Sequence, residues 1–320
     1  MTKVATLITG CNKQDQAAET SETKEASISV RVLDSYGEYK PKLWVIEKES
    51  TKIYLFGSIH VGVDDMYPFP DYVLDAFNDS SVLAVENDIV KLEKDHEYLK
   101  NAALQAMDMT PIKNRLAINE FNDLKSVLNG YDFDIEASIN GNFKPLFYYM
   151  SFTELMVQKT KFDYEKGVDK YLLKKAKEEN MEIKDIEDPL YIYKNVFALP
   201  YETQIFLLND AVKSIKNGEE GEEEIEPLVK AWINGEIMEY NEQEKEKMKK
   251  KYTQKELEYF EEFDKVMEND RNVIMVDKII EYLETDQVHF YVVGSLHYCG
   301  DHGILELLKK KGYETKEITP

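Results

Sequence analysis

Two apolar runs of strand length, residues 53–56 and 290–293, each lead into the same tetrapeptide pattern: Gly57-Ser58-Ile59-His60 and Gly294-Ser295-Leu296-His297. Runs this short, apolar at successive positions, suit strands buried on both faces of a sheet. A glycine at the strand end permits a tight turn and close backbone approach. The histidine three residues on can project over the sheet edge, where open α/β sheets gather their ligands. The two copies lie near opposite ends of a 320-residue chain. A shared site therefore requires both chain ends to build one sheet.

The remaining patterns agree with that requirement. Residues 28–33 and 43–47 read as strands, 71–79 as a helix, and 82–86 (VLAVE) as a further strand. Strand, helix and strand in that order suggest a parallel unit. From about 92 to 283 helical patterns dominate, broken by Gly130, Gly141, Pro145, Pro189 and Pro200. Within this stretch, 143–156 is aromatic enough to be a buried helix. Residues 166–180 are amphipathic and precede a strand at 181–186. The end of the chain returns to strand (288–294), loop (295–302), helix (303–311) and a closing stretch to 318. The expectation is an α/β fold: a central mixed sheet built from both chain ends, with a large helical insertion, forming one domain over 28–320.

Glu86 ends the run VLAV and adds a carboxylate to the two imidazoles. His60, Glu86 and His297 together suit a divalent metal with open coordination positions, zinc or iron among them. Such an ion makes bound water a nucleophile near neutral pH. A single histidine at a strand end is most often a satisfied structural residue; its duplication in the same context is what favours a site. Gly57 and Gly294 would supply the turns, and Ser58 and Ser295 would orient neighbours. Arg271, in NDRNVIMVDKII, could reach the same edge and stabilise an oxyanion, or form a helix-surface ion pair. Asp169 could support a ligand or be an ordinary surface charge. Glu187 could approach the site or cap the helix near Pro189. His302 could be a further ligand or a turn residue. His96 reads as a surface residue and His289 as a core one.

The ordered blocks resemble a known family. The segment 43–88 has a GxxH after a strand, a Tyr-Pro-x-Pro turn and a glutamate ending the next strand; 166–188 and 269–318 carry its middle and closing blocks. Together they resemble the TraB/PrgY/GumN family, which includes the Tiki proteases. The resemblance implies a fold similar to the erythromycin-esterase-like and ChaN-like proteins. It also implies a metal-dependent protease site at His60, Glu86 and His297, supported by Arg271, with manganese or cobalt as the ion. Tyr298-Cys299 departs from the small or aliphatic residues common there. The function expected is a metal-dependent hydrolase, a peptidase in the first instance. The alternative is a non-catalytic cell-surface protein that sequesters a peptide or a metal or haem ligand.

Composition bears on partners and location. With 40 Lys+Arg against 62 Asp+Glu, the net charge is −22, which argues against nucleic acid and against adhesion to anionic lipid. Two cysteines, Cys11 and Cys299, give no disulfide framework. Ile8-Thr9-Gly10-Cys11 resembles a bacterial lipobox, followed by a polar tether to residue 27. Residues 4–8 fall short of the apolar stretch of about 7–15 residues that usually precedes one. Lipidation at Cys11 would place the domain in the cell envelope, anchored outside the cytoplasm; the alternative is a cytoplasmic protein with a frayed N-terminus.

Overall fold

A computed structural model of the chain describes residues 36–49, 51–131, 142–219 and 221–320. Cys11, the tether and the strand expected over 28–33 lie outside the described residues. Six strands form one mixed sheet: β1 (Leu43–Lys48), β2 (Thr51–Ser58), β3 (Val82–Val85), β4 (Glu182–Asp185), β5 (His289–Gly294) and β6 (Lys316–Ile318), in the order β4-β3-β5-β2-β1-β6. β2, β5, β3 and β4 run parallel, whereas β1 pairs antiparallel with both β2 and β6.

The sheet is built from both chain ends, as the motif pair requires. β5 comes from the C-terminal part and lies between β2 and β3, pairing Ser58 with Gly294 and Val85 with Val292. The helical insertion also contributes, since β4 arises within it and forms one edge.

Side chains alternate across this sheet, and both faces are apolar, so the central strands read as unbroken apolar runs. Phe56, Leu83, Val85, Phe290 and Val292 face one core with the helices Asp71–Asp79 and Val168–Glu178. Ile53, Leu55, Ala84, Tyr291 and Val293 face another, closed by the helices Asp270–Tyr282 and Ile304–Lys310. A third, wholly helical core joins His96–Ala106, Ile118–Leu128, Pro145–Val157 and Tyr201–Lys216. The aromatic helix expected near 143–156 is this Pro145–Val157 segment, apolar on nearly every side because it is buried on nearly every side. His289 is fully buried and His96 exposed, as their settings suggested. No helix among the described residues is long and apolar enough to cross a membrane.

Candidate active site

The carboxyl ends of the four parallel strands deliver the chemistry. His60 follows β2, Glu86 follows β3, Glu187 follows β4 and His297 follows β5. The two tetrapeptides pack against each other. A Cβ on Gly57 would stand 2.9 Å from the Ser295 Cα and Cβ, so only glycine lets the two turns approach this closely. Ser58 and Ser295 are both buried.

His60 leans on the helix Val168–Glu178. Its Nδ1 lies 2.8 Å from Asp169 Oδ2, and Ser58 Oγ donates to Asp169 Oδ1 at 2.7 Å. Asp169 is therefore buried and engaged, not a surface charge. It fixes Nδ1–H of His60 and turns Nε2 away from itself. The adjacent Asp169 carboxylate raises the His60 pKa to about 9. The ring is 63% exposed, and it lines a cavity of about 410 Å³. Glu86, Asp169 and Glu187 line the same cavity, while Tyr98, Phe147 and Phe263 from the helical layer contribute to its apolar walls.

Arg271 organises the other half. It is 3% exposed, which overturns the alternative of a helix-surface ion pair. Nε donates to Glu187 at 3.0 and 3.1 Å. Nη2 donates to Glu187 Oε1 at 2.5 Å and to Glu86 Oε2. Nη1 donates to the Met267 carbonyl at 2.8 Å and meets His297 Nε2 at 3.2 Å. A guanidinium has five N–H donors, and these partners engage all five. An oxyanion role for Arg271, expected from the sequence, finds no free donor in this arrangement. Its reach is to Glu86, Glu187 and His297.

These pairings set the charge states. Burial alone would raise Glu86, but Arg271, His297 and His60 bring it down to about 2. Burial wins at Glu187, whose pKa stays raised despite Arg271. Burial also dominates at His297 and lowers it to about 4. His302 enters through its backbone: its side chain is exposed, and its carbonyl accepts from Asn272 Nδ2 at 2.9 Å. Cys299 follows the second tetrapeptide. It is buried with its thiol pushed up to about 12, and its Sγ faces the carbonyls of Ser295 and Ile237.

The model of the TraB/PrgY/gumN family matches residues 42–317. The chain belongs to the TraB/PrgY/gumN family. No curated protein and no solved structure matches it. The match spans β1 to β5, the first two residues of β6 and every residue of the site.

The donor set tests the expected metal ion. Glu86 Oε1 accepts from the Gly294 N–H at 2.7 Å and Oε2 from Arg271. His297 has Nδ1 on Asn272 and Nε2 on Arg271. Among the described residues no three His, Cys, Asp or Glu side chains are grouped so as to hold one ion. As arranged, His60, Glu86 and His297 do not fit a three-ligand centre, because a guanidinium holds two of them.

Sequence reasoning missed Asn272. It is 2% exposed and bonds both His297 and His302. A signal existed: Asn272, Val276 and Ile279 share the apolar stripe of one helix, so a polar residue there needed a partner.

Proposed function

We propose that this chain is a hydrolase of amide bonds, acting on peptides, with its reacting centre between His60 and Glu86. The observation that carries the reading is the meeting of three parallel strand ends, those of β2, β3 and β4, at one cavity, with the His60–Asp169 pair on its wall and the Arg271-bound carboxylates beside it. The cavity has the size and largely apolar lining of a small-ligand site. His60, held through Nδ1 and protonated up to about pH 9, offers its Nε2–H as the acid that protonates the leaving amine. Glu86, kept ionised, stabilises the positive charge on His60 and orients polar groups at the strand ends. Arg271 fixes Glu86 and Glu187 in place.

The metal-dependent form of the reading adds a divalent ion, manganese or cobalt by family resemblance, as a Lewis acid. Such an ion would have to displace Arg271 from Glu86 and His297 to reach them. The test is cleavage of a peptide library by the parent and by His60→Ala, each with chelator and with added manganese. Cleavage by the parent that His60→Ala loses supports the proposal; its persistence in chelator removes the metal requirement. A parent inert in every arm sinks it.

The apolar walls also favour a second reading, a non-catalytic protein that sequesters a peptide or a haem ligand. Stoichiometric depletion of peptide without fragments, or a Soret band on haem addition, would select it. Location in the cell envelope through lipid on Cys11 belongs to the same proposal. Labelling with a fatty-acid analogue, lost in Cys11→Ala, checks it.

A further inference from the structure

We infer that Asn272 is a positioning residue that fixes His297 as the neutral Nδ1–H tautomer and, through it, holds Arg271 in place. The role rests on the hydrolase reading only where activity is concerned. Asn272 Nδ2 faces the His302 carbonyl at 2.9 Å, and a carbonyl accepts only, so the amide nitrogen must lie on that side. Oδ1 then faces His297 Nδ1 at 2.6 Å. An amide oxygen donates nothing, so Nδ1 carries the proton. Nε2 is left bare, and the Arg271 Nη1–H points at it from 3.2 Å.

Each contact fixes the next. Asn272 and His297 are 2% and 6% exposed, so solvent has little access to replace a missing partner. His302 belongs to the turn after β5, and Asn272 belongs to the helix Asp270–Tyr282. The amide therefore also ties the second tetrapeptide to the helix that carries Arg271. With Asn272 replaced by an apolar residue, His297 is free to move its proton to Nε2. That N–H would face a guanidinium that donates only, and the Arg271 contact to the ring would be lost. Arg271 would then sit less firmly on Glu86.

The experiment is imidazole-selective 15N–1H correlation NMR on the metal-free full chain, with His297 assigned by His297→Gln. The parent should show Nδ1 protonated and Nε2 bare. Asn272→Asp keeps an acceptor on Nδ1 and should keep the tautomer. Asn272→Leu should shift it to Nε2–H or a mixture and lower peptide cleavage roughly tenfold or more, the scale on which losing an orienting partner of a functional histidine acts. A parent ring protonated at Nε2 overturns the inference outright, even if Asn272→Leu fails to fold. So does an unchanged tautomer in a folded Asn272→Leu. If no peptide is cleaved by the parent, the hydrolase reading fails while the tautomer result still decides the role of Asn272.

Discussion

His60 and His297 come from matched tetrapeptides and end in opposite electrostatic settings. His60 sits against a carboxylate and holds its proton to about pH 9, whereas burial keeps His297 neutral down to about pH 4. Asp169→Asn removes the charge that raises His60. Its NMR titration midpoint should fall from about 9 towards 6.5, the ordinary value. Because the folded-state value is raised, the stabilisation from this pair is complete below about pH 6.5 and is lost as pH rises through 9. In Asp169→Asn, stability measured in urea should accordingly lose that part of its pH dependence. His297 has the opposite sign: its folded value is depressed, so it removes stability as pH falls from 6.5 towards 4. Arg271 gives a large expected single effect. Arg271→Met leaves Glu187, whose side chain is 3% exposed, without its counter-charge. Loss of one partner from a buried pair costs about 3–5 kcal/mol, readable as a lowered urea midpoint. The double variant Arg271→Met/Glu187→Gln should recover part of it.

The helix carrying Arg271 is interrupted just before it. Residues Lys265–Asn269 form a π-turn, in which the Asp270 N–H bonds the Lys265 carbonyl five residues back. Such turns are rare inside helices and often mark functional positions. Here the turn places the Met267 carbonyl under the Arg271 guanidinium and sets Met267 on the cavity wall. Deleting Glu268 returns the run to ordinary helix and removes the wide turn that sets the Met267 carbonyl under Arg271. The variant should keep its helical circular dichroism while losing peptide cleavage, and retained cleavage would dissociate the turn from the site. Elements also explain what the sequence could show. The central strands were legible because their apolar runs are short, end in glycine or glutamate, and lie among helical patterns. Arg271 and Asp169 were ambiguous because a helical charge looks the same whether it meets water or a carboxylate from a distant strand. Only Glu187 on the far side of the chain decides the first, and only His60 and Ser58 decide the second. The π-turn left no periodic trace, since one extra residue merely shifts the apolar stripe.

On the scale of the whole molecule, β5 joins the two halves of the site. Phe290, fully buried in it, packs 5.5 Å from both Phe56 and Phe77 between ring centroids. Phe290→Ala should cost about 3–5 kcal/mol in urea unfolding. Far-ultraviolet and tryptophan signals should still coincide, because Trp44 and Trp232 pack in the two cores on either side of the sheet. Separate transitions would show that the faces unfold independently.

The sheet order has a consequence for how the protein is made. A ribosome releases β2 and β3 long before β5, yet β5 is the strand that separates them. Until residues 289–297 emerge, the nascent sheet holds an open slot at its centre, and Arg271 and Glu86 lack His297 beside them. Residues 289–297 must be made before both histidines can stand at the sheet edge, so a chain cut short ahead of them lacks the second tetrapeptide altogether.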